Sequence, residues 1–345
     1  MDLYGRDLIT TQEWESWELE EALDLAARMK RGRFAPEFTQ LLEHKTFIMF
    51  FYNPSVRTRI SFEAAMTEMG GHSQFMTPSA GRFKTSKQAG ETIEDAAKVM
   101  ARFAAGIGIR ILEDKVPYYG AGTELLREYA HWANVPILNM ADDRFHPFQG
   151  LADLMGWAEW YGEGPGRPDY RALEGKKLVL TWAQGALARS WCSVQEALLI
   201  ASRFGMHVTV ARPDGYDLDP EVIQWTKHNC EENNATFEVT NDPVKCMDGA
   251  HVVYARNWMT PNAYQDGEFK KQEEIDKALK ITGWTLDAAK MARTDNAIFT
   301  HPMPVDRGNE VTDDVASGPR SAIYDVAENR LHVQKAVMAL TMGNL

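Results

Sequence analysis

The sequence predicts an α/β fold with two doubly wound parallel-sheet domains joined by long helices. At 345 residues the chain is longer than one hydrophobic core usually organises. Short apolar runs alternate with longer amphipathic segments in both halves, and a Gly- and Pro-rich stretch over 162–168 separates the two series. We expect a first domain over 1–150, a second over 151–322, and a C-terminal helix over 323–345 that packs back on the first.

The individual elements follow from the apolar periodicity. A first helix is expected over 11–31. Strands are expected near 46–51, 73–76, 107–111 and 136–139, with helices near 57–69, 91–104, 121–133 and after His146. In the second half, strands are expected near 177–182, 207–211, 236–239, 251–255 and 297–300. Such alternation indicates parallel sheets, in which ligands bind beyond the carboxyl ends of the strands.

The composition limits the classes of partner. A net charge of −12 argues against binding to nucleic acid or to an anionic membrane surface. The apolar runs are too short for a membrane span, and the acidic N-terminus lacks the features of a signal peptide. Cys192, Cys230 and Cys246 are odd in number and lack metal-ligand spacing, which favours reduced thiols in a cytoplasmic protein.

No cofactor and no metal are expected. A Gly-X-Gly-X-X-Gly turn after a strand is missing from the sequence, which argues against a nucleotide-dependent dehydrogenase. The nine histidines are dispersed along the chain. The pair Asp142-Asp143 is interpreted as a loop acid pair rather than a set of metal ligands.

The most specific local pattern lies over 50–63, where an apolar strand leads directly into a helix. Free backbone N–H groups and the positive end of the helix dipole favour a phosphate there. Ser55 and Thr58 add hydroxyl donors, and Arg57 and Arg59 add forked cationic donors. A capped surface helix with solvated arginines is the alternative interpretation. The strand that leads into the cluster favours a binding site for a tetrahedral dianion.

Four motifs in order resemble those of the aspartate and ornithine carbamoyltransferases. Ser-Val-Arg-Thr-Arg over 55–59 resembles the carbamoyl-phosphate loop of that family, and His-Pro-Phe-Gln over 146–149 resembles its His-Pro-X-Gln motif. His-Pro-Met-Pro over 301–304 resembles its second histidine turn. Ala-Glu-Asn-Arg-Leu-His over 327–332 resembles the C-terminal signature of the ornithine branch. The resemblance extends from about residue 45 to the C-terminus.

This resemblance implies an enzyme that moves the carbamoyl group of carbamoyl phosphate to an amine-like nitrogen. It implies that carbamoyl phosphate is bound by Ser55, Val56, Arg57, Thr58, Arg59, Arg110, His146, Gln149 and Arg330. The implied catalytic residues are Arg57, Thr58, Arg110, His146 and Gln149. Arg110 and His146 would reach the carbonyl oxygen, and Gln149 would hold the amide. A simple turn at His146 and a helix-surface ion pair of Arg330 are the alternatives.

The acceptor side is implied by the same resemblance. The implied acceptor-binding residues are Arg189, Arg256, Trp258, His301, Pro302, Met303 and Lys87. Lys87 precedes Gly90 in a loop that enters the neighbouring subunit's site in family trimers, and a solvated loop lysine is its alternative. Arg256 stands where ornithine enzymes present an aspartate. A cation there repels an α-ammonium and attracts a carboxylate, so plain ornithine is not expected.

Other features bear on the identity of the acceptor. The segment 182–205 is four residues longer than the ornithine pattern and resembles that of N-acetylornithine carbamoyltransferases, whose extra loop forms a trefoil knot. The chain lacks the lysine of that subgroup before Thr312, and lacks its tryptophan-proline pattern before Gly90. We therefore expect a small carboxylate-bearing acceptor of nitrogen metabolism without a free α-ammonium, foremost a ureidoglycine-type ureido or amide acid of allantoin breakdown.

Two alternatives remain beside that expectation. N-Acetylornithine, or another N-acylornithine, is the alternative acceptor. A non-catalytic homologue that binds carbamoyl phosphate is the alternative from another functional class. In each case the resemblance implies a homotrimer, and for an enzyme it implies active sites shared between subunits.

Overall fold

The computed structural model describes residues 3–80 and 90–343 of the chain, which forms two compact units. The first unit comprises Met1–Leu151 and Arg330–Leu345, and the second comprises Ala152–Asn329. The divisions fall inside two helices, which therefore contribute residues to both units.

The first unit is built on a four-stranded parallel sheet. In chain order its elements are α1 (Ser16–Arg31), β1 (Thr46–Phe51), α2 (Val56–Glu68), β2 (His72–Met76), α3 (Ile93–Met100), β3 (Gly106–Ile111), α4 (Ala121–Trp132), β4 (Ile137–Asp142) and the start of α5 (Pro147–Tyr161). The strand order is β2-β1-β3-β4. Every pairing in this sheet is parallel, so the carboxyl ends of β1, β3 and β4 lie side by side.

Three aromatic side chains connect the sheet of the first unit to two of its helices. The rings of Phe47 in β1 and Phe62 in α2 are stacked with centroids 5.6 Å apart. Phe62 in turn meets Phe148 of α5 edge to face at 5.0 Å. Because Phe148 lies within the His-Pro-Phe-Gln motif, this packing fixes the motif against the sheet.

The second unit contains a five-stranded parallel sheet. Its elements are the remainder of α5, β5 (Lys177–Trp182), α6 (Cys192–Arg203), β6 (His207–Ala211), α7 (Pro220–Glu232), β7 (Phe237–Thr240), β8 (Val252–Arg256), β9 (Tyr264–Gln265), β10 (Glu268–Phe269), α8 (Lys271–Ala278), α9 (Ala288–Met291), β11 (Ile298–Thr300), α10 (Asp313–Ala316) and the start of α11 (Ile323–Met342). The strand order is β11-β8-β5-β6-β7, and β9 and β10 form a separate antiparallel hairpin. The predicted α/β class, with parallel sheets and two domains, is confirmed.

The strand predictions are confirmed to within one or two residues, except at the end of β4. This strand continues to Asp142, three residues beyond the predicted end. The extension, Met140-Ala141-Asp142, is buried, and the polar residues on either side of its apolar pair are hydrogen-bonded to each other: Asn139 donates to the Asp142 carboxylate at 3.1 Å, and also to the carbonyl of Ile9 at 2.8 Å. Apolar periodicity does not reveal a strand end at which buried polar residues interrupt the apolar run.

The first helix begins later than predicted. The chain first forms a 3-10 turn over Thr11–Glu13, and α1 starts only at Ser16. The Glu18 carboxylate accepts the backbone N–H of Glu15 at 2.6 Å and so fixes the start of α1. The helix predicted over 91–104 is likewise shorter, at Ile93–Met100. Among the described residues, none of the helices is both long and apolar enough to span a bilayer.

Candidate active site

The N-terminus of α2 carries the first group of predicted site residues. Ser55 caps this helix, and its hydroxyl accepts the backbone N–H of Thr58 at 3.3 Å. Val56 and Arg57 are exposed in the first turn, whereas Thr58 is buried. A helix start with a capping hydroxyl and two exposed first-turn residues is the arrangement that the sequence predicts for a phosphate site.

Arg330 reaches the same helix end from the far end of the chain. Its guanidinium donates to the Thr58 hydroxyl at 2.9 Å across 272 residues of sequence. Arg330 is only 5% exposed, so the alternative of a helix-surface ion pair does not describe it. The structure thus brings Arg330 together with Ser55 and Thr58.

Arg59 has a different environment. It is exposed, and its Nε donates to the Glu63 carboxylate one turn along α2 at 2.9 Å. Its guanidinium also lies 3.9 Å from the centroid of the Phe75 ring. These are the contacts of a surface arginine, and the phosphate contact of Arg59 stays a prediction.

Arg110 lies inside β3, one residue before the strand ends, and is paired in register with Phe51 of β1. Asn53 links the two strand ends, because its Oδ1 accepts the N–H of Leu112 at 2.7 Å and its amide donates to Asp114. Sequence reasoning missed Asn53, whose only signal is a polar residue in the turn before Ser55. It holds the loop of the phosphate motif to the end of the Arg110 strand.

His146 and Gln149 open α5 just beyond the end of β4. Both are buried, and the His146 carbonyl accepts the N–H of Gln149 at 2.9 Å. The loop before them is held by Asp142, whose carboxylate accepts the backbone N–H of Arg144 at 2.7 Å and the Thr123 hydroxyl at 2.8 Å. The ends of β1, β3 and β4 therefore present the phosphate motif, Arg110 and His146 at one edge of one sheet.

Asp142 and Asp143, interpreted from the sequence as a loop acid pair rather than metal ligands, lie at and just after the end of β4, and both are fully buried. Asp143 accepts the backbone N–H groups of Gly120 and Gly122 at 2.5 and 3.1 Å, at the start of α4. Burial, reinforced by the charge of Asp142, raises the pKa of Asp143 to about 8. Within the described ranges, no three His, Cys, Asp or Glu residues form a group suited to a metal ion.

Arg256 is the last residue of β8 in the second unit, and it is only 7% exposed. Its Nε and Nη1 atoms are buried, and neither has a hydrogen-bond partner in the part of the chain that the structure describes. A buried guanidinium group with unsatisfied donors is costly unless an anion pairs with it. This arrangement is suited to a carboxylate ligand.

His301 and Glu310 form a buried pair, and the charge of Arg256 acts on the pKa of both residues. His301 Nδ1 accepts the N–H of Met303 at 2.8 Å, so Nε2 carries the proton and faces Glu310 Oε2 at 3.0 Å. Burial lowers the pKa of His301, with Arg256 and Arg189 acting in the same direction and Glu310 opposing them. The imidazole is fully buried, and both of its nitrogens form hydrogen bonds. These hydrogen bonds hold the turn that follows β11.

Glu310 is ionised. Burial alone would raise its pKa, but His301 and the guanidinium groups of Arg189 and Arg256 outweigh burial and lower the pKa to about 2. Arg189 lies 3.7 Å from Glu310 and donates to the Pro304 carbonyl at 2.8 Å. Sequence reasoning missed Glu310, since no periodicity connects it to a histidine nine residues earlier.

The remaining predicted acceptor residues divide into three cases. Pro302 is buried and Met303 half-buried in the turn that follows β11. Trp258 is fully buried, and its Nε1 donates to the Tyr216 carbonyl at 3.0 Å, which makes it part of the core of the unit. Lys87 lies outside the described residues.

Comparison with known proteins identifies the class to which this geometry belongs. Residues 6–159 match the family described as aspartate/ornithine carbamoyltransferase, carbamoyl-P binding domain. Residues 175–341 match aspartate/ornithine carbamoyltransferase, Asp/Orn binding domain. The chain therefore belongs to the aspartate/ornithine carbamoyltransferase family, and it is an enzyme that transfers a carbamoyl group.

Individual relatives fall in two branches of this family. The anabolic ornithine carbamoyltransferase of Pyrococcus furiosus is 34% identical over 345 residues, covering 100% of this chain and 99% of the relative. The N-acetylornithine carbamoyltransferase of Xanthomonas campestris is 33% identical, with 98% of each chain covered. A solved acetylornithine transcarbamylase in complex with acetylcitrulline is 33% identical, with a TM-score of 0.88 over 98% of this chain and 100% of that one.

Proposed function

We propose that this enzyme transfers the carbamoyl group of carbamoyl phosphate to the side-chain amine of an N-acylated ornithine. The observation that carries the proposal is the buried Arg256, whose charge disfavours the free α-ammonium of ornithine and favours a carboxylate. An acylated α-nitrogen carries no charge, so an N-acylornithine avoids that repulsion. The structural likeness to acetylornithine transcarbamylase supports this acceptor over the ureidoglycine-type acid that the sequence favoured.

The first unit holds the residues proposed for carbamoyl phosphate. Since the Thr58 hydroxyl accepts from Arg330, its own proton is left to donate to a phosphate oxygen. Ser55 is in the same position, because its oxygen accepts the N–H of Thr58. Arg57 and the first-turn N–H groups of α2 complete the anion site.

The chemical step needs charge stabilisation more than covalent catalysis. The neutral amine attacks the carbonyl carbon, and the carbonyl oxygen becomes negative. The C–O bond to phosphate then breaks, and the departing phosphate takes up the proton that the attacking nitrogen loses. Arg110 and His146 are proposed to stabilise that oxygen, and Gln149 to hold the carbamoyl NH₂ group. Arg57 follows the growing charge on the departing phosphate. Positioning of the two substrates supplies the rest of the acceleration.

A panel of acceptors tests the proposal. Purified enzyme with carbamoyl phosphate is given N-acetylornithine, N-succinylornithine, ornithine or aspartate, and phosphate release and the carbamoylated product are both measured. We expect efficient turnover of an N-acylornithine and little turnover of ornithine. Efficient use of ornithine, or failure of every N-acylornithine, would contradict the proposal.

Ureidoglycine is the second candidate acceptor in the same panel. The absence of the lysine before Thr312 and of the tryptophan-proline pattern before Gly90 favours it, because both features belong to N-acetylornithine enzymes. Turnover of ureidoglycine without turnover of N-acylornithines would establish this candidate in place of the first.

The family resemblance also leads us to propose a homotrimer with shared sites and a trefoil knot within the second unit. Val56 and Ile60, 73% and 60% exposed on α2 beside Arg57, support a subunit contact near the phosphate motif.

Light scattering tests the trimer. For shared sites, inactive Arg57→Ala and Lys87→Ala chains are mixed and reassembled. Recovered activity is expected, and its absence in confirmed mixed trimers would contradict sharing.

A further inference from the structure

Glu310 connects four groups of the second unit through one buried carboxylate. Its Oε1 accepts the backbone N–H of Asn257 at 2.8 Å and lies 3.7 Å from the Nε of Arg189. Its Oε2 accepts the backbone N–H of Asp306 at 2.8 Å and faces the Nε2 of His301 at 3.0 Å. Both oxygens are therefore fully engaged in a side chain with no exposed surface.

These contacts unite segments that leave neighbouring strands. Asn257 follows β8, His301 follows β11, and Arg189 lies on the segment after β5. The order β11-β8-β5 makes these strands adjacent in the sheet. Glu310 thus ties together the carboxyl ends of the three strands that carry the proposed acceptor residues.

The charges around Glu310 do not cancel. The main charged influences on the Glu310–His301 pair are the guanidinium groups of Arg189 and Arg256. With His301 neutral and Glu310 ionised, two positive charges face one negative charge. Among these four groups one net positive charge is left, and Arg256 keeps buried donors for which the described residues offer no partner.

We propose that Glu310 is the positioning residue of the acceptor side and that its charge sets the preference for an acceptor with a single carboxylate. It orients Arg189 and the turn over 301–306, and it reduces the local charge from two to one. This inference rests on the proposed function in taking a carboxylate as the ligand. A dicarboxylate would then be disfavoured because only one net positive charge faces it.

The test compares two substitutions of Glu310. Glu310→Gln keeps the shape but removes the charge, whereas Glu310→Asp keeps the charge but shortens the side chain by one methylene. Glu274→Gln is the matched control, since Glu274 is also a buried carboxylate of this unit and accepts the N–H of Thr260 at 2.7 Å. Circular dichroism and thermal unfolding confirm that each variant is folded.

Steady-state kinetics measure the positioning role. Both Glu310 variants are expected to raise the KM of the acceptor on the order of a hundredfold, the effect of displacing a binding group by about 1 Å. The Kd of carbamoyl phosphate, measured by calorimetry, should stay within about twofold because its proposed residues belong to the first unit. An unchanged acceptor KM in both variants, or an equal loss for both substrates, overturns the positioning role.

Calorimetry with small carboxylates measures the role of the charge without any turnover. Propionate and succinate are titrated into each protein in the presence of carbamoyl phosphate. We expect Glu310→Gln to strengthen the binding of succinate relative to that of propionate by about tenfold, which corresponds to about 1.4 kcal/mol. Glu310→Asp and Glu274→Gln should leave the ratio of the two Kd values unchanged.

The same ratio distinguishes this inference from the proposed function. If the Kd ratio is unchanged in Glu310→Gln, the charge of Glu310 does not set the preference for a single carboxylate, even if N-acylornithines are good substrates. If no N-acylornithine is turned over, the proposed function fails, and a shifted ratio still supports Glu310 as the residue that sets the charge.

Discussion

Two buried arginines are central to the binding that we propose for this enzyme. Arg330 is buried beside Thr58 at the start of α2, and Arg256 is buried at the end of β8. Removing a guanidinium group from water is costly, and the buried donors of Arg256 that lack a partner among the described residues favour an anionic ligand there. We propose the phosphate of carbamoyl phosphate as the ligand near Arg330 and a carboxylate of the acceptor as the ligand of Arg256.

Replacing Arg330 tests the first of these positions. Arg330→Ala removes a charge-assisted donor and the group that orients the Thr58 hydroxyl. We expect kcat/KM for carbamoyl phosphate to fall by about 10²–10³, as for the loss of one preorganised donor in a dry site. Arg28→Ala is the control, because Arg28 is an exposed arginine that pairs with Glu37 at 3.8 Å and lies 5.8 Å from the centroid of the Phe38 ring, away from the phosphate motif. Equal kinetics for Arg330→Ala and wild type would rule out the phosphate contact.

Glu310 gives a prediction for the pH dependence of stability. Its pKa falls from 4.5 to about 2 on folding, so it stabilises the protein above pH 4.5 and this contribution is lost as the pH falls toward 2. The destabilisation caused by Glu310→Gln should therefore be large above pH 5 and should shrink toward pH 2.

Urea unfolding at a series of pH values measures this difference. Wild type and Glu310→Gln are compared from pH 2 to pH 7, with Glu274→Gln as the reference for the loss of another buried carboxylate of the same unit. A free-energy difference between wild type and Glu310→Gln that does not vary with pH would show that Glu310 titrates alike in both states.

At the scale of elements, strands follow closely from the sequence, and the contacts that hold their ends do not. β1 and β5 are read directly from continuous apolar runs, and the phosphate motif follows from the polar residues after β1. Asn53 instead acts through Leu112, 59 residues away, and Asp142 adds to its local partners a hydrogen bond from Thr123, 19 residues away. A local pattern contains no information about such partners, so the polar groups that position the site appear only in the folded structure.

Asp142→Asn tests how the loop before His146 is held. Oδ2 of Asp142 accepts from both Thr123 and Asn139, and an amide nitrogen in its place would face two donors. We expect the loop to shift and kcat to fall about a hundredfold, the effect of misplacing a catalytic group by about 1 Å.

Asp169→Asn provides the matched control for that change. Asp169 is exposed and accepts the N–H of Arg171 at 3.1 Å in a turn of the second unit, so its loss should leave kcat nearly unchanged. If Asp142→Asn retains wild-type kcat while remaining folded, Asp142 does not position His146.

At the scale of the whole molecule, the proposed substrate residues are divided between the two units. Ser55, Thr58, Arg110 and His146 belong to the first unit, as does Arg330, which α11 returns to it from the C-terminus. The proposed acceptor residues within the described ranges all belong to the second. In a chain with a net charge of −12, each unit thus has its own cationic group for an anionic substrate.

This division predicts that a substitution in the first unit weakens the binding of carbamoyl phosphate only, and that a substitution in the second weakens the binding of the acceptor only. Arg256→Gln removes the cation proposed for the acceptor, and we expect kcat/KM for the acceptor to fall at least about a hundredfold, since a buried charge partner is lost. The Kd of carbamoyl phosphate, measured by calorimetry, should not change. Arg57→Ala should give the reverse pattern, with weaker binding of carbamoyl phosphate. If Arg256→Gln weakens carbamoyl phosphate as strongly as Arg57→Ala does, the substrates are not divided between the units in this way.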